Sequence, residues 1–526
     1  MDLENLTLAQ FTRRQLLVRA GMGGVTLAGA DLLMSCASAV NGGKSSKTPT
    51  PKAGGVAMVA IGADILPADV FSVNGQNITF TRMVFNTLTE LDHKTLQPKP
   101  SLATSWDVSA DGLTHTFQLR TDVKFHSARP FGPDDVIFAI TNLQNPDRGS
   151  QLLRTAAVVT DMSASGANAV KLHLAHPVSN LFDLLETMYI IDKESLPDLL
   201  DGKNAVGTGP FKWQSWTPGT SLQLVKNTSY WKPNRPYLDG VTLLTIADPT
   251  ALTDSIKTKQ TNFSSNVGNA GLTELSKLPG YFVSTVDTFA DDSYLGINTA
   301  NPPFDKKEVR QAVGWALDRK RLLTQAFRNQ CCDTAIPWPQ QSPAYDASLA
   351  NLYHHDLGKA KSLLNQAGVG PFTTEIAINV PNDPVAQIVQ FNLSQIGITA
   401  NPKLYAGGSF FGTLRAGKFP GLWSSGHLFA NMHPATLLTA ALPFNSLHNS
   451  SNFHDPTYQQ LVQQAWVATS DAELKTAYRA ITKLLADEAF VLELNAGGDI
   501  YAGTDSFNGW TVNMYDYTNF DEAFLA

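Results

Sequence analysis

Two histidine pairs, a cysteine pair and two glycine-rich loops are the groups in this 526-residue chain whose types and spacing could do chemistry. His173 and His176 stand three apart, the spacing at which one helix face would share a metal ion. Val170, Leu172 and Leu174 alternate around them with the period of a strand, which turns the two rings to opposite faces. His354 and His355 precede Asp356, a residue suited to cap a helix, and adjacent histidines at a surface turn need no metal. The run Gly407-Gly408-Ser409-Phe410-Phe411-Gly412 misses the GxSxG spacing of a nucleophile turn by one residue. Gly207-Thr208-Gly209-Pro210 lacks the third glycine of a dinucleotide loop and the lysine of a phosphate loop. Cys331 and Cys332 are neighbours that could form a strained vicinal disulfide or stay as two buried thiols, and the strain of bridging neighbours favours the thiols. HExxH is absent, and no carboxylate pair is marked by spacing as acid and base. The expectation is no catalysis, no metal site and no cofactor.

The elements that carry these groups alternate between strand and helix. Residues 106–125 read as a hairpin turning at Asp111-Gly112, with Phe117 and Leu119 alternating with Gln118 and Arg120. A helix is expected from Gly132-Pro133-Asp134-Asp135, where proline suits the first position and the acids suit the positive end of the dipole. A longer helix is expected over 305–327. Val309, Ala312, Val313, Ala316 and Leu317 make one apolar stripe there, and Asp305 with Glu308 has the spacing of a capping box. Ser470 and Glu473 repeat that spacing ahead of another stripe. Such alternation predicts α/β lobes with mixed sheets.

The N-terminus predicts export. Arg13 and Arg14 precede a soft apolar run over 18–34 that is too short and glycine-rich to span a bilayer. The paired arginines resemble a twin-arginine signal, and Leu33-Met34-Ser35-Cys36 resembles a lipoprotein cleavage box, so Cys36 is the expected lipidation site. Residues 36–55 hold almost nothing to bury and read as a flexible leash. The roughly 470 residues beyond it exceed what one core usually supports, which predicts two lobes. A net charge of −7 gives no electrostatic footprint for nucleic acid.

Longer blocks carry a family likeness. Val84-Phe85-Asn86-Thr87-Leu88-Thr89-Glu90-Leu91 is followed in order by Pro100-Ser101-Leu102-Ala103, Phe117-Gln118-Leu119-Arg120, Gly207-Thr208-Gly209-Pro210-Phe211, Val309-Arg310-Gln311-Ala312 and Phe453-His454-Asp455-Pro456. In this order the chain resembles the extracytoplasmic solute-binding proteins, family 5, of peptide, nickel and opine ABC transporters. The resemblance implies a two-lobed periplasmic-binding-protein-like fold of type II with an extra subdomain inserted in lobe I. It divides the chain into an export signal (1–35), a leash (36–55), lobe I (56–90), the inserted subdomain (91–205), lobe I continued (206–292), lobe II (293–500) and the return to lobe I (501–526). A hinge is expected near 291–296 and 497–503. The implied partners are a small-molecule or peptide solute, a permease and ATPase subunits, with the chain acting as a monomer on the outer face of the cytoplasmic membrane.

The likeness also points to a site. Peptide-binding members carry a tryptophan followed within a few residues by an aspartate that receives the peptide's α-ammonium. Trp423 stands in that position, but no Asp or Glu occurs between Trp423 and Pro434. Peptide capture through that salt bridge is therefore not expected, and Trp423, His427, Phe429 and Asn431 are the expected cleft residues, suited to neutral partners such as sugars, modified peptides or a chelate. The alternative is that Trp423 and Phe429 are core aromatics. Asn74, Tyr294 and Asn298 are candidates by family position alone, and Trp213, Trp216 and Trp231 read as packing. A secreted hydrolase, or a sensory or adhesive protein using the same fold, is the competing reading.

Overall fold

The computed structural model describes residues 49–526 except 74, 93–94, 287–290, 330–333, 406, 469 and 514. The export signal, Cys36, most of the leash, Asn74 and the Cys331-Cys332 pair lie outside the described residues. Strand β1 (Val56–Ile61) opens a seven-stranded sheet, and the chain then leaves it to build a four-stranded antiparallel sheet. That second sheet contains β2 (Ala103–Val108), β3 (Thr114–Leu119), β4 (Val159–Ala164) and β5 (Ala169–Leu174), in the order β2-β3-β5-β4. The chain returns with β6 (Phe211–Thr217), β7 (Ser221–Lys226), β8 (Gly240–Thr245), β9 (Phe263–Ser264) and β10 (Tyr281–Thr285). It crosses to a five-stranded sheet made of β11 (Asp291–Ile297), β12 (Phe372–Ile378), β13 (Ile398–Leu404), β14 (Leu422–His427) and β15 (Val491–Gly497). It crosses back with β16 (Ile500–Thr504), which lies between β10 and β9 in the order β10-β16-β9-β1-β8-β7-β6. Both large sheets mix parallel and antiparallel pairs. Thr50–Ala526 form one unit, and no helix among the described residues is long and apolar enough to cross a membrane.

The helices that matter to the site are α1 (Pro133–Gln144), α2 (Leu181–Thr187), α3 (Lys307–Ala316), α4 (Pro434–Ala440), α5 (Pro456–Val467) and α6 (Asp471–Glu488). Their local chemistry follows the sequence in most places. The hairpin β2–β3 turns at Gly112, whose φ of 72° suits glycine, and α1 starts at Gly132, whose N–H is accepted by Asp135. Ser470 and Glu473 form their reciprocal cap on α6.

The expected helix over 305–327 is shorter than the apolar stripe suggests. It begins at Lys307 with no side-chain cap, so Asp305 and Glu308 make no capping box. It stops at Leu317, which is extended, and Asp318 then starts a new turn by accepting from the Arg321 N–H at 2.9 Å. The break lets the Arg319 guanidinium turn inward, where the carbonyls of Tyr353, Thr334 and Glu493 accept from it at 2.9, 2.6 and 2.7 Å. A continuous helix would leave that buried donor unsatisfied. The Gly207-Thr208-Gly209 loop packs so closely that a Cβ at Gly207 would meet the Val84 carbonyl oxygen at 2.1 Å, which accounts for glycine there without any phosphate.

Candidate functional site

Two neighbouring strands of the five-stranded sheet bring together three of the candidate residues, Tyr294, Trp423 and His427, and a third strand flanks them. Across the antiparallel pair β11–β14, Asp292 lies opposite His427, Tyr294 opposite Ser425, and Gly296 opposite Trp423. On the other side of β11, Tyr294 lies opposite Glu493 of β15. Side chains two apart on a strand share a face. Asp292, Tyr294, Trp423, His427 and Glu493 therefore stand on one face, while Leu295, Ile297, Leu422, Leu492 and Leu494 fill the hydrophobic core behind the other.

Trp423 is wholly buried and packs on Gly296, where a Cβ would come within 2.1 Å of the indole. The Phe419 ring lies 5.5 Å away. His427 Nδ1 accepts from the Phe429 N–H at 3.3 Å, so a neutral ring carries its proton on Nε2, 3.1 Å from Glu493 Oε1. Burial raises the Glu493 carboxyl well above the usual range, against the opposing charge of Arg319. Asp292, His427 and Glu493 each present a donor atom within 4.8 Å of the others.

Beyond β14 the chain runs through Phe429 and Asn431, both buried, into α4. This loop forms one wall of a cavity of about 220 Å³, with Asn431 and His433 on one side and Leu91, Pro98, Asn180 and Asp183 on the other. The two walls are bonded together at the cavity's edge. Asn180 Nδ2 donates to Thr436 Oγ1 at 2.9 Å, Thr436 Oγ1 donates to Asp183 Oδ2 at 2.5 Å, and the His433 N–H donates to the same oxygen at 2.7 Å. Tyr515 donates to Asp183 Oδ1 at 3.1 Å. Trp466 Nε1 of α5 donates to Asn180 Oδ1 at 3.0 Å, and the Arg154 guanidinium lies 4.2 Å from the Trp466 ring. Burial pushes Asp183 up to about 6, against the hydrogen bonds from Thr436, His433 and Tyr515, and holds His433 down at about 4.

Tyr294, Trp423 and His427 thus meet on the sheet face, and Phe429 and Asn431 follow on the loop, with Asn431 lining the cavity. Asn298 stands apart. Its Nδ2 donates to the Phe419 carbonyl at 2.7 Å, and its Oδ1 accepts from Ala300 N and Asn452 Nδ2. Sequence reasoning missed Asn180, Asp183, Asp292 and Glu493. For two of them a signal existed: Asp183 interrupts Leu181-Phe182-Asp183-Leu184-Leu185 and Glu493 interrupts Val491-Leu492-Glu493-Leu494, acids inside apolar runs. Of the other groups, His173 bonds Thr114 Oγ1, His176 packs edge-on to Trp466, His355 donates to the Ala316 carbonyl, and Asp356 caps the helix after it. Trp213 packs against Phe80, and Trp231 donates to Asn86.

Residues 97–446 match the profile of the bacterial extracellular solute-binding proteins, family 5 Middle. The di/tripeptide-binding protein 2 of Pseudomonas aeruginosa is 26% identical over 74% of this chain and 79% of its own length. The glutathione-binding protein GsiB of Pectobacterium atrosepticum is 24% identical over 89% of this chain and 94% of its own. Among solved structures, the ABC transporter-associated periplasmic binding protein DppA of Helicobacter pylori, in complex with the peptide STSA, superposes with a TM-score of 0.80 at 23% identity. That match covers 90% of this chain and 99% of that one. NikZ of Campylobacter jejuni in complex with Ni(L-His) gives a TM-score of 0.78 at 21% identity, covering 88% and 97%. The architecture is that of a two-lobed periplasmic binding protein, and the chain belongs to the bacterial extracellular solute-binding proteins of family 5.

Proposed function

We propose that the chain is the substrate-binding component of an ABC importer, anchored by a lipid on Cys36 to the outer face of the cytoplasmic membrane. It captures a small polar solute between its lobes and hands it, unaltered, to a permease driven by ATPase subunits. In this reading 56–90, 206–292 and 501–526 form lobe I, 91–205 its inserted subdomain and 293–500 lobe II, with the hinge at the two crossings between the large sheets. A solute touching both walls binds the closed form better than the open one, and shifts the population by no more than that difference in affinity.

The observation that carries the reading is the cavity between Asn180-Asp183 and Asn431-His433. Among the described residues Asp183 is the acidic side chain on its wall, and both its oxygens already accept hydrogen bonds. Three hydrogen bonds already engage Asp183, so the wall offers an ammonium group no carboxylate dedicated to it, and burying that cation without one costs several kcal/mol of solvation. The solute is therefore a neutral polar molecule of about dipeptide size, such as a capped peptide or a small sugar. Calorimetry with a free-amine dipeptide and its N-acetylated amide tests this: the capped form is expected to bind at least about tenfold more tightly, a difference of about 1.4 kcal/mol. Tight binding of the free-amine form with none of the capped one would defeat the reading.

A further inference from the structure

We propose that Asp292, His427 and Glu493 form a binding site for one divalent transition-metal ion of the zinc class, on one face of the five-stranded sheet and separate from the solute cavity. One imidazole nitrogen and two carboxylate oxygens are the donor set such ions accept, and two carboxylates balance a divalent charge. Bonds of about 2.0–2.2 Å to a tetrahedral ion leave neighbouring donors on the order of 3.4 Å apart. The three donors lie within 4.8 Å of one another and the His427–Glu493 pair at 3.1 Å, so small inward shifts close the site.

A second observation points the same way. Glu493 is buried, and its Oε2 has no hydrogen-bond partner. A buried carboxylate oxygen without a partner is rare and calls for a cation or a proton. Arg319, the neighbouring fixed charge, spends its Nε and Nη1 donors on the main-chain carbonyls of Tyr353, Thr334 and Glu493, and leaves Oε2 open. Coordination through Nε2 moves the ring proton to Nδ1 and gives up the 3.3 Å contact with the Phe429 N–H, which is already long for a hydrogen bond.

The three residues come from β11, β14 and β15. The first and last of these are the strands by which the chain crosses between the large sheets, so the ion would pin the base of both crossings. The site is independent of which solute is carried.

The full chain is purified from zinc-supplemented medium, dialysed against a chelator that strips surface ions, and assayed by plasma mass spectrometry. Competition of zinc chloride against a chromogenic chelator gives the affinity. One retained ion per chain is expected, with affinity at least about tenfold weaker in Glu493→Gln and in Asp292→Asn. Both variants are checked for fold by circular dichroism, and either one, folded, suffices. X-ray absorption of the zinc-loaded wild type decides independently of any variant. One imidazole with oxygen neighbours supports the site, whereas several imidazoles mean surface histidines and overturn it. A wild type that retains no zinc, or folded variants that retain it unchanged, also overturn the proposal.

Discussion

The indole of Trp423 rests on the bare Cα of Gly296, so neither position tolerates a change of volume. Trp423→Ala empties the space of a whole ring in a packed interior and is expected to cost about 3–5 kcal/mol of unfolding free energy. Denaturant titration measures this directly, and a loss under about 1 kcal/mol would mean that the ring is not the packing element its burial makes it. A drop in solute affinity in that variant would then reflect the fold as much as a contact, which makes Asn431, on the cavity wall, the cleaner site for a binding probe. Sequence alone drew attention to Trp423, His427 and Asn431 because they form one short run. It could not reveal Asp292 and Glu493 beside His427, or Asp183 across from His433, because those neighbours are made by sheet register and by contacts between segments far apart in the chain.

Helices α2 and α4 meet through two titrating groups of opposite sign, Asp183 and His433, and in the proposed closure their balance would set the response to pH. With the walls together Asp183 titrates at about 6, against about 3.9 for an exposed aspartate, so closing takes up a proton between those values. That contribution favours closure as pH falls and is lost as pH rises through 6. His433 titrates at about 4 when buried against about 6.5 when exposed, so closing expels a proton and acid favours opening. The two nearly cancel. The radius of gyration of the unliganded wild type from X-ray scattering is expected to stay nearly flat between about pH 4 and pH 6.5, whereas Asp183→Asn, left with the His433 effect alone, should open on acidification. The same pH response in both proteins would refute the compensation. Element-level chemistry was readable where it is local: the Gly112 turn, the Gly132 start of α1 and the Ser470–Glu473 cap each depend on residues within a few positions. The Asp305–Glu308 spacing was misleading because the inward turn of Arg319, toward carbonyls supplied by distant segments, decides where that helix stops.

In the proposed role the whole molecule must stay near a permease, which a lipid on Cys36 would provide. Described structure attaches firmly at Gly54 and Gly55, whose N–H groups are accepted by the Tyr237 carbonyl and Asp239 Oδ2 at the start of β8. Positive φ values of 110° and 84° at this pair turn the chain onto the seven-stranded sheet, a path glycine alone takes readily. The segment between Cys36 and that docking point has fewer than twenty residues, and as a random coil it would span on the order of 25 Å. If Cys36 carries the proposed lipid, a segment of that length would keep the lobes beside the membrane. Cys36→Ala would remove the proposed attachment without touching any residue of the unit Thr50–Ala526. It is expected to shift the protein from the membrane pellet to the soluble fraction while its denaturation midpoint and solute affinity in solution stay unchanged. If the variant still sediments with membranes, the anchor lies elsewhere in the chain. If it is released but denatures earlier, the N-terminal segment packs on the lobes, and its proposed role as a free tether fails.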